Sequence, residues 1–215
     1  MVATIMTAAA GCGLILGGLT SFPTPPPQPE SDATPAAPPT AVPSLEPGDP
    51  TPEHLSRSEP VQVTIDAVDV DAPVVSVGVS PDDGSIQTPE LDEPHKAGWF
   101  SPGPSPGEIG AAALVGHVDS DRAGAAVFYA IGALNKGDSV DVVRADGSIA
   151  TFKVDIVESY RKKDFPYGAV FAGTGYAGLR LITCGGGFDD MRRSYTHNTV
   201  VYATLDSIVK TPEET

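Results

Sequence analysis

Residues 60–210 are predicted to form one all-β domain, closed or sandwich-like, and three features of the sequence predict it. Apolar residues alternate with polar ones or fall in short β-branched runs; turn signals recur between those runs; only one stretch has a helical pattern. Val61-Gln62-Val63-Thr64-Ile65 alternates with period two, which puts one face in a core and the other in water. Val74 to Val79 is a second β-branched run, closed by the turn Pro81-Asp82-Asp83-Gly84, with Gly84 free to take a positive φ. Ile109 to Val115 reads as a buried strand leading into Gly116-His117. Val140 to Val143 and Ile149 to Val157 flank Ala145-Asp146-Gly147, the pattern of a hairpin with an Asp-Gly turn. Leu179 to Thr183 and Thr199 to Leu205 complete the strands, and Ala123 to Leu134 is the one short helix expected. Closing so many short strands into a barrel would remove exposed sheet edges.

Two different segments precede this domain. Residues 1–21 carry no charged side chain and are nearly all apolar or small, about the length a helix needs to cross a bilayer. They are read as a retained signal-anchor, with the rest of the chain outside the cell. Two processing readings compete. Ala9-Ala10-Gly11-Cys12 loosely resembles a lipoprotein cleavage box, but Leu14-Ile15-Leu16 keep the chain apolar beyond Cys12. Secretory cleavage near Ser21 lacks a clear small-x-small site. Residues 22–59 are read as a disordered spacer. Between Pro23 and Pro60 lie 13 of the 22 prolines, with almost no aromatic or β-branched residues to bury. Extended as polyproline at about 3.1 Å per residue, it would hold the domain on the order of 100 Å from the membrane.

The net charge is −15, which argues against binding nucleic acid through its phosphates. Asp66, Asp69, Asp71 and Asp82-Asp83 lack the spacing of an EF-hand loop and are read as solvated surface. No second cysteine or clustered histidine completes a four-ligand zinc site, so neither metal nor cofactor is expected.

Cys184 is the one cysteine beyond Cys12, and it follows the strand Leu179 to Thr183 at a run of three glycines. A lone thiol in an exported domain has no disulfide partner. It is either an inert core residue or a nucleophile. His117 ends another predicted strand, and Arg192-Arg193 precede the last one. A thiol attacks carbonyls as the thiolate, which a neighbouring cation favours. Histidine can protonate a leaving amine, and the guanidinium fork can hold an oxyanion.

Gly116-His117-Val118-Asp119-Ser120, Leu181-Ile182-Thr183-Cys184-Gly185-Gly186 and Arg193 ahead of Val200-Val201-Tyr202-Ala203 together resemble the sortases, the cysteine transpeptidases of Gram-positive cell surfaces. Gly185-Gly186 and Arg193-Ser194-Tyr195 are most similar to the class F branch of actinobacteria, and the resemblance covers residues 60–206. It implies a closed eight-stranded barrel entered by a signal-anchor helix. It also implies cleavage of a Leu-Pro-x-Thr-Gly-like sorting signal between Thr and Gly, then transfer of the acyl group to an amine of a cell-wall precursor. Cys184 would carry the thioacyl group and His117 would be the acid. Arg193 would steady the oxyanion, and Thr183 would line the substrate groove.

The register of the arginines stays open. If the segment is extended, Arg192 and Arg193 face opposite sides, and Arg193 is favoured. His197 is a weaker alternative basic partner. Asp119 either orients His117 or caps a turn. His54 and His95 are read as exposed, and Trp99-Phe100 as core. The rival readings are another cell-wall cysteine transpeptidase or hydrolase, and an unreactive binding module on a stalk. The first usually places its histidine close to its cysteine, whereas 67 positions separate His117 from Cys184.

Overall fold

A computed structural model describes residues 25–29, 53–82 and 84–210. The anchor expected over residues 1–21 lies outside them; among the described residues no helix is long and apolar enough to cross a membrane. Eight strands close into a barrel: β1 Pro60–Ile65, β2 Val70–Val77, β3 Ala97–Phe100, β4 Gly110–Val115, β7 Ser139–Arg144, β8 Ile149–Arg161, β9 Ala177–Asp189 and β10 Ser194–Val209. Around it their order is β1-β2-β3-β4-β9-β10-β8-β7, with β7 returning to β1. A separate two-stranded ribbon, β5 Asp119–Ser120 with β6 Gly124–Ala125, stands beside one end.

Alternation decides which face each strand buries. Val63 and Ile65 of β1 point inward, as do Val140 and Val142 of β7 and Phe152 and Val154 of β8. They meet Trp99, Leu114, Phe128, Leu179 and Leu181 in the central core. A second apolar cluster, with Tyr160, Phe165, Val170, Ile182, Val200 and Tyr202, covers the outside of the barrel. The short helix α1, Tyr167–Val170, contributes to that layer. This explains why β4 and β9 read as continuous apolar runs: they pair in parallel and are covered on both faces.

The helix expected over Ala123 to Leu134 is absent. That stretch holds β6, turns and a 3-10 turn, Ile131–Ala133. At its centre the backbone donors go to distant acceptors, Val127 N–H to the Pro94 carbonyl (2.9 Å) and Phe128 N–H to the His117 carbonyl (3.0 Å), and Tyr129, Ala133 and Leu134 N–H close i to i−3 turns. Those bonds leave no i to i−4 ladder for a helix.

Leu55 to Arg57 pack on the barrel ahead of β1. Leu55 is buried and its N–H donates to the Gly107 carbonyl at 2.8 Å. The buried Arg144 guanidinium donates to the Ser56 carbonyl and, at 3.1 Å, to Ser148 Oγ. Arg57 lies over the Trp99 ring, 5.0 Å from its centre. Trp99 is core, as expected, and its Nε1 donates to the Pro104 carbonyl at 3.0 Å. His54 and His95 are exposed.

Candidate active site

The parallel register of β4 and β9 assembles the site. Val115 stands opposite Ile182, so the two strands reach the same barrel end with Gly116-His117 beside Thr183-Cys184. Gly116 N–H donates to the Ile182 carbonyl at 3.1 Å, one bond beyond the paired residues. Thr183 was expected to line the groove. It is instead buried, and its hydroxyl donates to the Gly116 carbonyl at 2.9 Å. The residue before the cysteine thereby ties down the residue before the histidine.

His117 is half-buried. Its Nε2 lies 2.7 Å from the carbonyl of the buried Pro89 in the β2–β3 connection. A carbonyl oxygen only accepts, so Nε2 carries a proton in this contact and Nδ1 is left for proton exchange. The His117 carbonyl in turn accepts from Phe128 N–H, which fixes the backbone behind the ring.

Cys184 is half-buried and is not at a strand end, as the glycines suggested. β9 runs on to Asp189, paired only with β10, and forms a ribbon overhanging the barrel. The register shifts between Tyr195 and His197, opposite the glycines. Gly186 has φ +73°, and a Cβ there would overlap the His197 ring, so glycine is required where the ribbon bends. His197 pairs with Gly185, and its Nδ1 is 2.8 Å from Thr196 Oγ1. Burial, then the nearby Arg161 charge, push its pKa down. It does not line the cavity that holds Cys184.

Arg192 and Arg193 occupy the turn joining β9 to β10 and belong to neither strand, so strand alternation does not separate them. The turn does. Arg192 folds back onto Asp189 at 2.6 Å, whereas Arg193, held at φ +48°, faces the cavity and pairs with Asp121 at 3.1 Å. Asp119 accepts the Tyr195 hydroxyl and makes no hydrogen bond to His117. Burial, followed by that bond to Asp119, raises the Tyr195 pKa, so the phenol stays a donor.

These groups surround one open cavity of about 680 Å³, lined by Cys184, His117 and Arg193 together with Asp119, Tyr195 and Leu91. Tyr195, Asp121 and the Pro89 carbonyl are the contributors that sequence reasoning missed. Tyr195 carried a signal, an aromatic directly after Arg193-Ser194; a backbone carbonyl 28 positions from the histidine carried none.

The Sortase domain family matches residues 63–206. The chain belongs to the sortase family. Sortases are cysteine transpeptidases, and this chain is an enzyme of that class. Solved sortases share the fold. Sortase A of Listeria monocytogenes aligns with a TM-score of 0.53 at 20% identity, covering 72% of this chain and 92% of that one. A mutant of sortase C-1 from S. pneumoniae aligns with a TM-score of 0.53 at 20% identity, covering 70% and 67%. Sortase A from Corynebacterium diphtheriae aligns with a TM-score of 0.53 at 17% identity, covering 74% and 65%. No match is found among curated proteins.

Proposed function

We propose that this sortase is a membrane-anchored, class F-like enzyme. It cleaves a Leu-Pro-x-Thr-Gly-like sorting signal between Thr and Gly and joins the new acyl end to an amine of a cell-wall precursor. The observation that carries the reading is that Cys184, His117 and Arg193, from three separate segments, line one cavity. In the first half-reaction the Cys184 thiolate attacks the threonine carbonyl carbon, and Arg193 offers its guanidinium to the oxyanion. The C–N bond then breaks, and His117 gives its proton to the departing glycine amine, leaving a thioester on Sγ. In the second half-reaction the acceptor amine attacks that thioester. A new amide forms, the thiolate leaves, and the amine proton returns to His117.

The cavity rim supports an amine acceptor. Glu90, Asp92, Asp119 and Asp121 outnumber Arg122 and Arg193 there, a field that draws in a cation. The class F-like part rests on Gly185-Gly186 and Arg193-Ser194-Tyr195. The uncharged residues 1–21 support a single-pass anchor in the cell membrane with the barrel outside.

The test is intact-protein mass after incubating the chain with a Leu-Pro-x-Thr-Gly peptide library. A peptide-sized adduct on the parent and none on Cys184→Ala is the expected result. An adduct that survives on Cys184→Ala, or none on either chain, overturns the reading; a muropeptide adduct in its place points to the other cell-wall transpeptidases.

A further inference from the structure

Part of the proline-rich segment is seated on the barrel. Pro25 to Pro29 lie against the 3-10 turn Ile131–Ala133 and the glycines that follow Cys184. Pro26 is buried, and the Tyr129 hydroxyl donates to the Pro25 carbonyl at 3.3 Å. Gly132 meets the Pro27 carbonyl so closely that a Cβ at that position would overlap it. Gln28 closes the contact: its Nε2 donates to the Pro26 carbonyl at 2.9 Å, and its Oε1 accepts Gly186 N–H at 2.9 Å. Gln28 and Pro29 also border a second cavity with Gly132, Leu134 and Asn135.

These contacts share one chemistry. A proline run has no internal hydrogen bonds, so its carbonyls are free to accept, and it is already extended, so ordering it costs little. Grooves lined by aromatic side chains are how Pro-rich peptides are commonly recognised, and here Tyr129 supplies the aromatic ring and its hydroxyl. The Gln28 side chain adds an acceptor for an amide on the overhanging part of β9, two residues from the nucleophile.

We propose that Tyr129, Gly132 and the Gly186 amide form a polyproline-binding groove whose ligand is Pro25–Pro29 of the same chain, and that its occupation pins the glycine run behind Cys184. Bound there, the segment is a strap rather than free stalk. The proposal goes beyond the transpeptidase reading, and its test needs no substrate, so either can fail alone.

Amide hydrogen exchange over Gly185–Gly187 in the full chain reads it. Gln28→Ala, which lies outside the barrel and leaves its core untouched, is expected to speed exchange at Gly186 on the order of tenfold, the scale of one hydrogen bond. Gly132→Ala, which closes the groove against Pro27, is expected to do the same. A synthetic peptide of residues 24–30 at millimolar concentration should restore protection to the Gln28→Ala chain and not to the Gly132→Ala chain. Parent-like exchange in Gln28→Ala overturns the pinning, and a peptide that protects neither chain overturns the groove.

Discussion

Replacing Thr183 by valine removes one oxygen and little volume, yet it should weaken both the fold and the site. The Thr183 hydroxyl is buried and donates to the Gly116 carbonyl at 2.9 Å. Valine leaves that carbonyl facing a methyl group with no water to replace the donor. An unsatisfied buried acceptor costs about 1–3 kcal/mol. For a domain of this size each kcal/mol lowers Tm by about 2–4 °C. Thr183→Ser keeps the hydroxyl and loses only a methyl, so it separates the bond from the packing. Urea unfolding and thermal melting of parent, Thr183→Val and Thr183→Ser measure the first effect. The second is read from peptide cleavage, since Gly116 precedes His117: kcat should fall in the valine variant and recover in the serine one. A valine variant as stable as the parent, or a serine variant as damaged as the valine, would refute the clamp.

Arg193→Gln should reduce turnover by about 10²–10³, the scale of losing one oxyanion donor. Arg192→Gln, which breaks only the exposed contact to Asp189, should stay near the parent rate, and equal losses in the two variants would remove the assignment. Glu158→Gln should stabilise the protein at neutral pH. Glu158 is buried, and desolvation raises its pKa in the folded state. The folded chain therefore favours the neutral acid, while the unfolded chain ionises near about pH 4.3. Stability from this group is present below that pH and is lost as pH rises through the raised folded value. The gain from glutamine should accordingly be visible in urea unfolding at pH 7–8 and vanish below about pH 4; a pH-independent gain would mean packing, not charge.

Strands and chemistry were legible in the sequence wherever the signal was local. Period-two alternation and the Asp146-Gly147 turn are one-dimensional patterns: the turn joins β7 to β8, and the alternation holds from Val63 to Ile65, while Val61 is exposed where the pairing with β7 shifts register. Cys184, His117 and Arg193 stood out as candidates by residue type and by their places near predicted strands. What stayed hidden depends on partners far along the chain. The glycines after Cys184 look like a strand end, yet pairing with β10 carries β9 on to Asp189. Ala123 to Leu134 has helical composition, but Pro94 and His117 take its backbone donors. Thr183 next to a nucleophile suggests substrate contact, and only the three-dimensional register turns its hydroxyl onto Gly116. The strap is the extreme case: backbone carbonyls make most of its contacts, so a proline run that docks reads no differently from one that does not.

One parallel pairing explains why this fold gathers these residues. An antiparallel β4–β9 pair would send the two strand ends to opposite ends of the barrel, leaving His117 and Cys184 a strand length apart. Parallel pairing, with Val115 against Ile182, brings both to one end in near-equal register. β10 then runs back antiparallel to β9, so the turn carrying Arg193 opens onto the same end. The ribbon of β5 and β6 closes the fourth side, where Asp119 takes the Tyr195 hydroxyl and Asp121 takes Arg193. A one-residue slip of β9 would turn Cys184 to the opposite face, because successive strand residues alternate. The register is protected where a slip would matter most. Leu179 and Leu181 fill the inner core, Ile182 is covered by the outer cluster, and the Thr183 hydroxyl bonds Gly116 beside Cys184. The packing that makes β9 look like an ordinary buried strand is also what aims its cysteine.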